Sequence, residues 1–410
     1  MMRTCLSERG QKFLALADKV APAFAERAAR HDHDNTFPFE NYDDLRAAGF
    51  MRLTVPEELG GLGADLADLL VVLERFAAAD GSTSLAYAMH SSPVCSWAYA
   101  WRRSQDPQLA FPLQMAAQGK LVFAVIPSEI GTSNLYLDAK TKAERVDGGF
   151  RISGRKNFGT NTSVATHCAT TARYEDPEYG PHLIGLLVDL SSPGVSIEPT
   201  WDTLGMRATQ SNDVVFDNLF VPEQNLYHSV PVGHLDAKFL EQVFAHAAPC
   251  FGAVYTGIAG GALSWAVEQI HRRGLTRDAR VQDAIAEAET LREINRSVLY
   301  RHADEVTSRR LFEQLGVQEG VARCAFVKNV CTNNAATIMR RLVDVLGGSA
   351  FVRSQPFEKM WRDVQAGLIM PISNRTGNEL IGASALDVEV VPAVGDQRDR
   401  PALSTLGSTW

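Results

Sequence analysis

The chain has no run of lysines or arginines, no Cys-x-x-Cys pair and no stretch approaching about 18 consecutive apolar residues. Each absence excludes a class. Without a basic run, and with a net charge of −8 on 410 residues, nucleic acid is not expected as a partner. Six cysteines (Cys5, Cys95, Cys168, Cys250, Cys324 and Cys331) lack the spacing of a zinc site and read as reduced, buried thiols. The first ten residues hold no apolar core of a leader peptide, so the expectation is a cytoplasmic protein with no membrane span. What remains, 45% hydrophobic and 21% charged, is ordinary for a globular chain of two or three domains.

Periodicity divides the chain into an α–β–α order. In residues 64–79, Leu66, Leu69, Leu70, Leu73 and Phe76 form one helical face, with Asp65 available as cap and Asp80-Gly81-Ser82 as stop. From residue 121 the pattern shortens. Val146-Asp147-Gly148-Gly149-Phe150 is a hairpin signal, and strands are expected at 121–127, 167–173, 182–190, 195–200 and 213–220. Helical stripes return after Pro231: one runs from Val281 to Leu299, the other from Val321 to Leu346, stopped by Gly347-Gly348. Lys328 sits inside the second stripe and is expected to snorkel its amine to solvent. The fold class is α+β: an N-terminal helical domain (1–120), a small central β-barrel (121–230), a C-terminal helical bundle (231–386) and a tail (387–410). The long stripes of the bundle predict burial against other subunits.

Five segments carry a resemblance to a known family. Val55-Pro56-Glu57-Glu58-Leu59-Gly60-Gly61-Leu62-Gly63 is a turn by itself. Phe158-Gly159-Thr160-Asn161 is followed by Leu204-Gly205-Met206-Arg207-Ala208-Thr209, then by Leu346-Gly347-Gly348 and Trp361-Arg362-Asp363. In this order they resemble the acyl-CoA dehydrogenase superfamily over about residues 10–385. The resemblance implies a flavin, FAD with FMN as a possibility. Phe158 would cover one face of the ring, Thr160 would bond near its N5 atom, and Asn161 would lie alongside. Residues 124–134 stand where the family has its flavin-contacting loop, which makes Ser128, Thr132 and Ser133 candidates, with Glu129 as an extra residue. Gly347 and Gly348 would meet the cofactor of a neighbouring subunit, and Ser373 and Arg375 would line the ring edge. A homotetramer follows from the same resemblance. Arg207 is read as ordering its own loop, and Asp363 as a cap or a partner of Arg362 rather than a catalytic group.

The departures are as informative. Where the family carries its catalytic glutamate, this chain has Met370-Pro371-Ile372-Ser373, and the alternative helix reads His246-Ala247-Ala248-Pro249. Abstraction of a proton beside a thioester needs a positioned base, and neither segment has an acid. The family's phosphate-binding Arg-x-x-Phe-Gly is replaced by residues 272–277, its usual glutamine by Asp344, and the arginine usual near Ala248 is gone. These losses resemble the monooxygenase branch of the fold, which uses reduced flavin and O₂ on a small or carrier-bound metabolite and depends on a separate flavin reductase. No histidine follows Arg362-Asp363 within 367–379, so a phenolic substrate is not supported. The alternative is an FAD-dependent acyl-thioester dehydrogenase or oxidase with a relocated base; a non-enzymatic scaffold is a third reading. His90 and His246 are the candidate acid–base residues, each weighed against a structural role.

Overall fold

The computed structural model describes residues 6–131 and 136–390. Five helices come first: α1 (Glu8–Asp34), α2 (Phe39–Ala47), α3 (Leu66–Ala79), α4 (Gly81–Ser104) and α5 (Pro107–Ala117). Asp65 caps α3 in a reciprocal capping box with Asp68, and Asp80 both ends α3 and caps α4 through Thr83 N–H. Two helices therefore meet at one aspartate with no loop between them.

Eight strands follow: β1 (Phe123–Ile126), β2 (Lys142–Val146), β3 (Gly149–Lys156), β4 (His167–Asp176), β5 (Gly180–Asp189), β6 (Val195–Glu198), β7 (Asp213–Pro222) and β8 (Leu226–Pro231). They form one sheet in the order β6-β7-β3-β2-β4-β5-β8, with β1 added in parallel to β4. The β2–β3 hairpin turns at Asp147-Gly148, the residues the sequence marks. Alternate residues such as Phe150, Ile152, Ile184, Leu186, Val214 and Phe216 meet in a single apolar core, so the sheet curls around its own interior. β8 had no sequence signal of its own, because four of its six residues are buried and the alternation is lost.

The helical half resumes with α6 (Ala237–Phe239), a π turn (Leu240–Phe244), α7 (Ala245–Arg272), α8 (Ala279–Thr307), α9 (Arg310–Gln314), α10 (Val317–Leu346), α11 (Pro356–Ile369) and α12 (Asn374–Ala385). The span Ala237–Arg272 is long and apolar enough to cross a membrane, but 83% of its apolar window is buried inside the protein. α7 is the axis of the bundle. A Cβ at Gly257 would lie 2.3 Å from Glu74 O and one at Gly261 2.4 Å from Ala78 O, so only glycine lets α3 approach this closely. One core joins α1, α3, α4, α7 and α10, and the sheet docks against it through α4 and β1.

Candidate functional site

The segment that leaves β3 makes two unusual turns. Phe158 (φ 60°) and Asn161 (φ 76°) both occupy the left-handed region, which costs a non-glycine residue energy and marks a position that the surroundings over-determine. Between them Thr160 is buried, while the Phe158 ring is 56% exposed and stands at 90° to Trp201, with centroids 6.0 Å apart. A bare aromatic face beside a nearly buried hydroxyl suits a flat ring whose edge needs one hydrogen bond. The residues present therefore fit a flavin.

The Thr160 hydroxyl is not isolated. Its Oγ1 lies 2.8 Å from Ser211 Oγ, which lies 2.7 Å from Thr209 Oγ1, which donates to Met206 O at 2.8 Å. Ser211 was not singled out from sequence; the turn at Arg207–Thr209 and the left-handed Gln210 bring it back onto Thr209. Met206, with φ 54°, is held by its own N–H donating to Asp363 Oδ1 at 2.6 Å. Of the two roles expected of Asp363, the pairing with Arg362 is not found: it pairs with Lys359 Nζ at 2.6 Å, which also reaches Asp80 Oδ1 at 2.8 Å. Arg362 goes to Asp32 at 2.6 Å and Glu358 at 2.8 Å. Arg207 donates to Asp32 O, Asp202 and Thr203 O, which orders the loop and ties it to α1.

Other sequence candidates fall elsewhere. Asn161 faces inward and is fully buried: Tyr42 donates to its Oδ1, and its Nδ2 donates to Phe123 O at 2.7 Å. Both ends of that amide are spent on structure. His90 is corrected in the same way. Phe123 N–H donates to its Nδ1 at 3.2 Å, so Nε2 carries the proton and gives it to Met51 O at 2.8 Å. Burial lowers its pKa to about 4, against a smaller upward pull from Met51, and no ring nitrogen is left for proton transfer. His246 sits against Tyr99 (5.4 Å) with Nδ1 on Glu241 O at 3.0 Å; burial again lowers its pKa to about 4, leaving a neutral imidazole. Its Nε2 is buried with no partner among the described residues.

The loop before β2 holds no free acid. Glu129, read as an inserted residue, anchors that loop: it accepts from Thr141 N–H at 2.8 Å, Thr141 Oγ1 at 2.6 Å and Lys156 Nζ at 2.7 Å. Burial pushes its pKa up, but Lys156 more than offsets this and keeps it an anion. Ser128 is buried, and its carbonyl accepts Asn157 N–H at 2.8 Å. Thr132 and Ser133 lie outside the described residues.

At the other side of the bundle, Ser373 caps α12, accepting Thr376 N–H at 3.2 Å and donating to Thr376 Oγ1 at 3.1 Å. The Arg375 guanidinium is exposed, with Glu379 at 3.3 Å. Gly347, at φ 59°, closes α10 together with Gly348, and open space lies over both. Lys328 does not snorkel. It is 2% exposed, and its Nζ donates to Ile372 O at 3.0 Å and Asn374 Oδ1 at 2.6 Å, holding the loop that has Pro371 in place of an acid. Burial lowers its pKa to about 7. Glu241, the remaining nearby acid, faces Arg103 at 3.9 Å. A cleft of about 1770 Å³ runs between α1, α3, α7, α8 and α11, but neither Phe158 nor Thr160 lines it, so its size does not make it the site.

Family models for the N-terminal, middle and C-terminal domains of acyl-CoA dehydrogenase match residues 8–105, 127–219 and 238–371. The chain belongs to the acyl-CoA dehydrogenase family. Within it, the chain is 32% identical to the amino sugar nitrososynthase RubN8 of Streptomyces rubradiris, over 95% of this chain and 92% of that one. It superposes with a TM-score of 0.85 on KijD3, solved in complex with FMN and dTDP-3-amino-2,3,6-trideoxy-4-keto-3-methyl-D-glucose, at 28% identity and 98% coverage of both chains. A nitrososynthase structure from Micromonospora carbonacea var. africana gives a TM-score of 0.83 at 27% identity, covering 94% of this chain and 99% of that one. This protein is an oxidoreductase of that fold, and Phe158 and Thr160 lie within the residues that match the family's middle domain.

Proposed function

We propose that this protein is a flavin-dependent monooxygenase that oxidises the amino group of a nucleotide-linked amino sugar. One observation carries the reading. The loop between α11 and α12 offers Met370, Pro371, Ile372 and a capping Ser373, and its charged neighbour is a lysine rather than an acid. Glu129 and Glu241 are committed elsewhere. A thioester substrate would find no carboxylate to take its proton. An amine needs none, because a neutral amine already carries the lone pair that accepts oxygen.

Bound reduced flavin would supply two electrons and activate O₂, so that one oxygen atom goes to nitrogen and the other leaves as water. The chain's own residues position and shield. Phe158 walls the ring, Thr160 bonds its edge, and Tyr136, Phe239 and Phe244, packed 4.8–5.6 Å apart, keep the seam between sheet and bundle dry. The grip on a second phosphate half is weak. Asp344 stands beside Arg341, and Arg273 is spent on Leu346 O at 3.2 Å, which suits FMN, or FAD held mainly by its ring. The same reading includes a separate flavin reductase, a homotetramer built on the helical bundle, and a cytoplasmic setting.

The test supplies FMN, NADH, a flavin reductase, O₂ and a dTDP-linked amino sugar. Substrate-dependent oxygen uptake and a product heavier by one oxygen are expected. Anaerobic bleaching of bound flavin by an acyl-CoA, without oxygenation of the amine, would replace this reading with a dehydrogenase.

A further inference from the structure

We propose that Ser211 sets the polarity of the buried hydroxyl chain so that Thr160 presents a lone pair to the ring, and that the site thereby binds reduced flavin more tightly than oxidised flavin. The proposal rests on the flavin reading above and extends it from which cofactor to which redox state.

Proton counting carries the argument, since each hydroxyl has one proton to give. Thr209 gives its proton to Met206 O at 2.8 Å. Ser211, 2.7 Å away, must then donate to Thr209. Thr160, 2.8 Å from Ser211, must in turn donate to Ser211. All three side chains are buried, so water does not scramble the order.

The reverse order is poorer. It would take Thr209 away from Met206 O, leaving that carbonyl with Trp201 Nε1 and Thr209 N–H, both at 3.1 Å. It would also leave the Thr160 proton with Phe158 O at 3.5 Å, beyond the usual O–H···O range. The forward order makes one hydrogen bond more. Its far end is rigid, because Met206 is held through Asp363 by the Lys359 cluster.

Thr160 is thus left as an acceptor toward any group lying against it. Reduced isoalloxazine carries N–H at N5, whereas the oxidised ring has a bare, accepting nitrogen there. Only the first can bond to Thr160 without reversing the chain. One neutral hydrogen bond corresponds to a preference of roughly five- to tenfold.

The experiment compares dissociation constants for oxidised FMN and, anaerobically, for reduced FMN. In the wild type the reduced form is expected to bind roughly five- to tenfold more tightly. Ser211→Ala removes the acceptor of the Thr160 proton and brings the two constants close to equal. Thr209→Val does the same from the other end, because Ser211 is then free either to donate to Thr160 or to accept from it. Ser211→Thr keeps the preference. An unchanged ratio in both Ser211→Ala and Thr209→Val, or a wild type that binds the two forms equally, overturns the proposal and leaves the flavin reading standing. A wild type that binds neither form overturns both.

Discussion

Lys359 and Lys328 are both buried in the helical half, yet their surroundings are opposite. Lys359 lies between Asp80 and Asp363, at 2.8 and 2.6 Å. Burial alone would strip its proton, but the two carboxylates reverse the effect and hold its pKa above the ordinary lysine value. Lys328 meets only a carbonyl and an amide, and burial lowers its pKa to about 7. The first cluster fixes Met206, and through it the hydroxyl chain that ends at Thr160. The second holds the loop where the family keeps an acid. A loop without a carboxylate leaves its buried lysine uncompensated, with only a carbonyl and an amide oxygen at its amine.

The comparison can be broken from either end. Lys359→Met leaves Asp80 and Asp363 as buried, unpaired charges and is expected to cost about 3–5 kcal/mol in urea unfolding. Equal losses in Lys359→Met and Lys328→Met would erase the distinction. Lys328→Met removes no ion pair and should cost less than about 2 kcal/mol at pH 7, the scale of its two hydrogen bonds less the penalty of burying a charge. Its sign with pH is fixed by linkage. The folded-state pKa of about 7 lies below the ordinary 10.5, so the contribution of the native lysine is full above 10.5 and is lost as pH falls toward 7. The gap between wild type and Lys328→Met therefore narrows from pH 9 to pH 7 in a urea series; a widening gap would contradict the assignment. The smallest effect, about 1 kcal/mol, is expected for Asn374→Asp, which gains an ion pair but loses donation to Asn333 Oδ1 and Thr332 Oγ1. That variant keeps Lys328 charged and flattens the pH slope.

Much of the fold is legible because its signals are local. Asp65 caps α3, Asp147-Gly148 turns the β2–β3 hairpin and Gly347 stops α10, each through the conformation of a few neighbouring residues. The site is legible in part. The exposed Phe158 and the buried Thr160 are two residues apart in the chain, and the missing acid at Pro371 is plain in the sequence itself. The surroundings of Asn161, His90, Glu129 and Lys328 were not legible, for a common reason. A polar side chain becomes structural when another segment brings a partner to it, and those partners lie at Phe123, Met51, Thr141 and Ile372, 12 to 44 residues away.

By itself the sequence determined the α–β–α order, the pairing of an aromatic with a hydroxyl at Phe158 and Thr160, and the absence of a base at the end of α11. These follow from periodicity and residue type, which no neighbour alters. Only the tertiary structure decided which lysine is compensated, which histidines are spent on backbone, and which way the protons of Thr160, Ser211 and Thr209 point. Desolvation and hydrogen-bond geometry depend on what packs against a group, and packing brings together residues that lie far apart in the chain.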